Sequence, residues 1–186
     1  MDNYKPQVGD IFLNNSDRFA SKMVKFLMQS PTIWHQIYRW FFNCLEPVRY
    51  YHAGIVIGEN EICEQQGKVQ KRDLQGILSR DIIFYRKKGL TDLDKQNLLD
   101  VINLTVGGGY GISECFAKLL AWLTGIQKLA KMFDMKNRAI CVVRVAEYYK
   151  VCNLENFGVD NVNYITTKVM DEFCSKSENW EVVYKN

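Results

Sequence analysis

The stretch Tyr51-His52-Ala53-Gly54-Ile55-Val56-Ile57-Gly58 decides how the rest of the chain is read. Its β-branched residues and closing glycine predict a buried strand that opens at a histidine and runs into a turn. The chain of 186 residues has only two histidines, so any chemistry that needs an imidazole must use His52 or His35. After Gly58-Glu59-Asn60 comes a second strand candidate, Glu61-Ile62-Cys63-Glu64-Gln65-Gln66, which predicts an antiparallel hairpin. Register then decides what lies beside His52, because a slip of one residue moves every side chain to the other face. Pairing Ile57 with Glu61 puts Gln66 across from His52 and Glu64 across from Gly54, in diagonal reach of the ring. Pairing Gly58 with Glu61 brings Cys63 and Gln65 to that face instead. The first register gathers Ala53, Ile55 and Ile57 on a buried face and is favoured, with Ile62 expected to join them although it breaks parity. In that register Glu64 or Gln66 holds the ring.

Outward from the hairpin, strands and helices alternate without a linker. Gly9-Asp10 followed by Ile11-Phe12-Leu13 predicts a turn entering a short buried strand, and Ser16 to Phe42 is mostly helical in character with a break at Pro31. Pro47 ends that region. Ile82–Tyr85 reads as a further strand of a small antiparallel sheet. Thr91-Asp92-Leu93-Asp94 has the spacing of a capping box and opens a helix to about Val106, stopped by Gly107-Gly108-Gly109. From Ser113 to Phe133 apolar residues recur at helical spacing with Lys118, Lys128 and Lys131 between them, an amphipathic helix or a pair. A helix opens near Cys141 and ends before Asn153; Thr167–Ser175 is a last helix and Trp180–Tyr184 a closing strand. The fold class is therefore α+β, a small antiparallel sheet packed against helices, in one domain over 1–186. There is no internal repeat and no low-complexity tract.

Composition limits the partners. With 47% hydrophobic and 24% charged residues the chain can bury one substantial core. The net charge of +3 comes from 24 basic and 21 acidic residues scattered along the sequence, which argues against a nucleic-acid partner and allows at most weak attraction to an anionic surface. The first residues show neither a basic n-region nor an apolar h-region, so the expected location is cytoplasmic and the six cysteines are expected to be reduced. No Cys-x-x-Cys pair and no zinc-like His spacing occurs, so no metal and no cofactor is expected.

A cysteine nucleophile needs a helix N-terminus or an imidazolium partner to hold it as thiolate. Cys141 lies where a helix starts, so first-turn N–H groups would face both the thiolate and an oxyanion formed beside it, with Val145 and Tyr148 on the same helix face. Among Ala139, Ile140, Val142 and Val143 the same cysteine also suits a small buried apolar residue, and Glu64 also suits a solvent-facing strand position. Cys115, after Gly107–Gly111, is the rival nucleophile. The glycines there lack the Gly-Lys-Ser/Thr ending of a phosphate loop. His35 stands among Trp34, Tyr38, Trp40, Phe41 and Phe42, where packing or a membrane-facing, lipid-lining surface is expected.

Taken in order, Gly9-Asp10-Ile11-Phe12-Leu13, the His52 strand, Ile62-Cys63-Glu64, Tyr110-Gly111, Cys141 at a helix start and Asn179-Trp180-Glu181-Val182-Val183-Tyr184 resemble the circularly permuted papain-fold cysteine hydrolases. These belong with the NlpC-type cell-wall amidopeptidases and are related to the lecithin:retinol acyltransferase-like lipid enzymes. The resemblance implies a permuted papain-like fold with Cys141 as nucleophile, His52 as base and Glu64 as the group that orients it. It implies an acyl-enzyme and cleavage of an amide in a peptide or cell-wall peptide. The alternatives are a lipid acyl ester, with peripheral membrane contact, or a module of the same fold that binds without turnover. Where many members follow the cysteine with Ser-Glu-Leu, this chain has Val142-Val143-Arg144.

Overall fold

A computed structural model describes residues 4–15, 49–66, 68–108, 141–162 and 165–186. In chain order these form β1 (Ile11–Asn14), β2 (His52–Val56), β3 (Glu61–Gln66), β4 (Lys68–Asp73), α1 (Gln75–Leu78), β5 (Ile82–Lys87), α2 (Asp92–Thr105), α3 (Cys141–Val151), α4 (Thr167–Lys176) and β6 (Trp180–Lys185). The strands make one six-stranded sheet in the order β4-β3-β2-β1-β5-β6, and every neighbouring pair is antiparallel. The fold is α+β. The regions of the expected helices at 16–42 and 113–133, with His35, Cys115 and Tyr110-Gly111, lie outside the described residues.

Two elements have little signature in the sequence. Strand β4 reads Lys68-Val69-Gln70-Lys71-Arg72-Asp73, with Val69 its one buried residue. It is an edge strand, and lysines on an edge discourage pairing with another chain, so the hydrophobic alternation of an inner strand is absent by design. Helix α1 is a single turn whose Ile77, with Leu74 just before it, is buried. A segment that short has no periodicity to read.

The sheet is covered on both faces. Against one face pack Val142, Val145, Ala146 and Tyr149 of α3, on Ile11, Leu13, Ala53, Ile55 and Tyr85. On the other, Phe12, Val56, Ile62, Ile82 and Phe84 meet Leu74 and Ile77. This corrects one step of the hairpin reading. Ile62 does not join Ala53, Ile55 and Ile57; it sits with Val56 on the opposite face, and Cys63 takes the place expected of it. Burial of both faces removes the polar alternation from which parity would be read.

Local signals hold the ends. Thr91 caps α2 through a reciprocal box: its Oγ1 accepts from Asp94 N at 3.1 Å while Asp94 Oδ2 accepts from Thr91 N at 2.9 Å. The helix ends at Thr105, and Gly107 follows at φ +87°, a conformation only glycine adopts freely. At the start of β1, buried Asp10 takes Arg86 Nε at 2.8 Å and Nη2 at 2.7 Å from β5, together with Tyr4 Oη and Gln7 N, each at 2.9 Å. This ties β5 to the entry of β1. No described helix is long and apolar enough to cross a membrane.

Candidate active site

The β2–β3 hairpin takes the register in which Ile57 N donates to Glu61 O at 2.9 Å, so that Gly54 pairs with Glu64 and Ile55 with Cys63. His52 and Glu64 thereby share a face, one pleat apart on neighbouring strands. Gly54 between them is required sterically: a Cβ there would lie 2.3 Å from Phe12 Cζ, whose ring occupies the space above the glycine. The Phe12 and His52 ring centroids are 6.3 Å apart, so the phenyl walls one side of the imidazole.

The ring is held by a carboxylate. His52 Nε2 lies 2.9 Å from Glu64 Oε2, and both side chains are buried. The remaining capacity of Glu64 is taken by Gln66 Nε2, which donates to Oε2 at 3.1 Å, and by Arg72 Nη1, which donates to Oε1 at 2.7 Å. Burial alone would raise the Glu64 pKa, but His52 and Arg72 outweigh it and hold the carboxyl down at about 2. With Nε2 committed to Glu64, Nδ1 is the ring nitrogen left for the thiol of Cys141, the first residue of α3. The β2–β3 pairing ends at Gly54, and beyond that end the Ala53 N–H turns to the Cys141 sulfur, joined by the Val142 N–H of the first helical turn. Burial pushes the thiol up. The imidazolium and these two N–H groups overcome it, and the Cys141 pKa is lowered. For His52, burial pulls down while the Cys141 thiolate and Glu64 pull up, leaving the imidazole at about 9. Such an environment favours thiolate facing imidazolium.

Cys141 differs in this from the other described cysteines. Burial pushes Cys63 up to about 11, and Cys174 and Cys152 are likewise raised. Cys63 belongs to the register not adopted and meets Tyr148 rather than the ring. Cys141, Val145 and Tyr148 line one small pocket with Gly54 and Glu64, as their spacing on a common helix face implied. Val142 and Val143, which follow the cysteine, are both buried in the core. Val142 serves the thiol through its backbone N–H, which its side chain does not alter.

No protein-family profile matches the chain, and no curated protein matches it. A solved structure does resemble it: the crystal structure of metalloprotein yiiX from Escherichia coli O157:H7, labelled DUF1105, aligns with a TM-score of 0.61 over 98% of this chain and 99% of that one, at 16% identity. At that identity the likeness speaks to the fold alone.

The structure thus brings together the three residues singled out in the sequence, with Gln66 as a second ligand of the carboxylate. It adds two that sequence reasoning missed. Arg72 comes from the edge strand β4, whose register places it across from Ile62 and on the Glu64 face. Asn14 pairs directly with His52 across β1–β2; it is fully buried, and neither atom of its amide has a hydrogen-bond partner among the described residues. A polar residue ending the Ile11–Leu13 strand was the signal for it. For Arg72 there was none, because β4 itself was not legible.

Proposed function

We propose that this chain is a thiol hydrolase of permuted papain-like fold that cleaves an amide, in a peptide or cell-wall peptide, through Cys141, His52 and Glu64. One observation carries the reading: the Cys141 thiol at the start of α3 contacts an imidazole whose other nitrogen is fixed by a buried carboxylate at 2.9 Å. A nucleophile, a base and an orienting group in that sequence of contacts are what acyl transfer through sulfur requires.

The thiolate of Cys141 adds to the acyl carbon, and the oxyanion formed is stabilised by first-turn N–H groups of α3. Collapse breaks the C–N bond as His52 passes its Nδ1 proton to the departing amine, leaving a thioester and a neutral imidazole. Water then gives a proton to Nδ1 as its oxygen adds to the thioester carbon. The C–S bond breaks, the carboxylic acid leaves, and the thiolate facing imidazolium is restored. Glu64 keeps Nε2 protonated throughout, so that Nδ1 is the nitrogen that exchanges protons.

The solved neighbour is titled a metalloprotein. For this chain, His52, Glu64 and Arg72 are turned toward one another, and among the described residues no group of three or more His, Cys, Asp or Glu is placed to hold a metal ion. The proposed steps use none. A lipid acyl ester is the second substrate class, favoured by the apolar character of 16–42 in the sequence. Incubation with peptide amides and, separately, with phospholipid vesicles, followed by intact-mass analysis, separates the two. The reading predicts an acyl adduct on Cys141 from the amides that Cys141→Ser abolishes. An adduct from the vesicles alone reverses the choice of substrate, and no adduct from either supports a binding module of the same fold.

A further inference from the structure

We propose that Arg72 is a positioning residue of this site, one that keeps Glu64 charged while His52 is neutral and so keeps His52 able to act as a base. The inference rests on the acyl-transfer reading. In the resting site the charges alternate along Cys141, His52, Glu64 and Arg72 and sum to zero, which offsets the cost of burying them. Turnover breaks that alternation. Once the leaving group has taken the proton, the thioester and the imidazole are both neutral, and Glu64, with a side chain that has no solvent exposure, remains the one anion of the trio.

A buried carboxylate without a cation either takes up a proton or binds the returning imidazole proton too strongly. Either outcome removes the neutral His52, free at Nδ1, that must accept a proton from water. Arg72 supplies the missing cation at 2.7 Å from Oε1, on the carboxylate oxygen that the ring does not use. The neighbouring groups do not duplicate it. From α3, Arg144 lines the same pocket as Glu64, but its Nη1 is engaged by Glu147 at 2.9 Å. Cys63, beside Glu64 on β3, is held neutral near neutral pH by a pKa pushed up to about 11, and Gln66 is uncharged.

The test separates the stage with charged His52 from the stage with neutral His52. Cys141 is acetylated with p-nitrophenyl acetate, excess reagent is removed, and loss of the acetyl group is followed by intact mass across the neutral and alkaline range, for wild type, R72Q, R72A and R72K. Iodoacetamide alkylation of Cys141 at neutral pH is measured in parallel, since it needs the thiolate but no base. For R72Q and R72A the midpoint of deacetylation moves up by about one pH unit, so that release at neutral pH falls about tenfold, while alkylation is unchanged. R72K keeps the wild-type midpoint. Deacetylation and alkylation falling in the same proportion, or a deacetylation midpoint that stays with wild type, overturns the proposal. Failure of R72Q and R72A to fold beside a normal R72K also overturns it, by assigning Arg72 to folding. A wild-type protein that takes no acetyl group on Cys141 contradicts the acyl-transfer reading itself and takes this inference with it.

Discussion

Two buried carboxylates stand on this sheet, each held by an arginine from another strand, and they are built for different ends. Asp10 gives Oδ1 to Arg86 Nε and Oδ2 to Arg86 Nη2, Tyr4 Oη and Gln7 N. Every partner there is a donor that keeps its proton at neutral pH, and burial and the Asp10 charge push Tyr4 well above the ordinary tyrosine range. Glu64 instead divides its oxygens between Arg72 and an imidazole, and the imidazole has a second nitrogen to offer. The first arrangement is a lock between strands. The second has the same parts with one exchangeable proton, and a thiol stands where that proton would go. A buried ion pair alone is weak evidence of function, since many are structural. What distinguishes the Glu64 pair is the free ring nitrogen and the cysteine beside it.

If the contrast holds, breaking Asp10 costs stability without touching the thiol. Asp10→Ala leaves Arg86 without its carboxylate and is expected to lower unfolding free energy by about 3–5 kcal/mol in urea titration, with Cys141 alkylation at neutral pH unchanged. A change in alkylation comparable to the loss of stability would erase the distinction. Gly54→Ala acts at the other end: the added methyl would meet Phe12 at 2.3 Å, so a cost of about 1–3 kcal/mol is expected, together with slower alkylation as Phe12 is driven toward His52. A variant that keeps both wild-type stability and wild-type alkylation would show that Phe12 does not wall the ring.

The same contrast has a pH signature. His52 is held at about 9, above its ordinary 6.5, so its stabilising share is complete below pH 6.5 and fades as the pH rises through 9. Glu64 is held at about 2, below its ordinary 4.5, so its share is complete above pH 4.5 and fades as the pH falls toward 2. Both are therefore present between 4.5 and 6.5. The stability advantage of wild type over His52→Gln is expected to be greatest in that window and to shrink through pH 9, as read from urea midpoints. An advantage that persists undiminished at about pH 10 would contradict the charged state assigned to His52. The smallest effect is expected at Asn14, where the two ends also differ: no atom of the Asp10 carboxylate lacks a partner, while both amide atoms of Asn14 lack one among the described residues. Asn14→Leu is expected to raise stability by about 1 kcal/mol, and a loss of stability would reveal a partner for the amide.

The sequence carried the His52 end further than the rest. The shared face of Ala53, Ile55 and Ile57 favoured the register that forms, and that register puts Glu64 beside His52. Ile62, expected on that face, lies with Val56 on the other, because both faces of the hairpin are buried and its parity is not marked by polar residues. The capping box at Thr91 and the strands at β1, β5 and β6 followed from local signals. Other side-chain pairings between strands did not. Arg72 is eight residues from Glu64 but sits in an edge strand whose lysines mask its period, and the Asp10–Arg86 pair spans 76 residues. Neither pairing leaves a pattern in one sequence: the first needs the register of a strand without hydrophobic alternation, and the second needs the order of strands in the sheet.

Everything proposed for this site follows if Cys141 is a thiolate because His52 is an imidazolium. The direct test is the rate of iodoacetamide alkylation of each cysteine, resolved by peptide mass, as a function of pH in the folded protein. Cys141 is predicted to react well below the pH at which Cys63, Cys152 and Cys174 react, and His52→Ala is predicted to abolish that lead. A Cys141 that labels no earlier than Cys152, or only after denaturation, would contradict it.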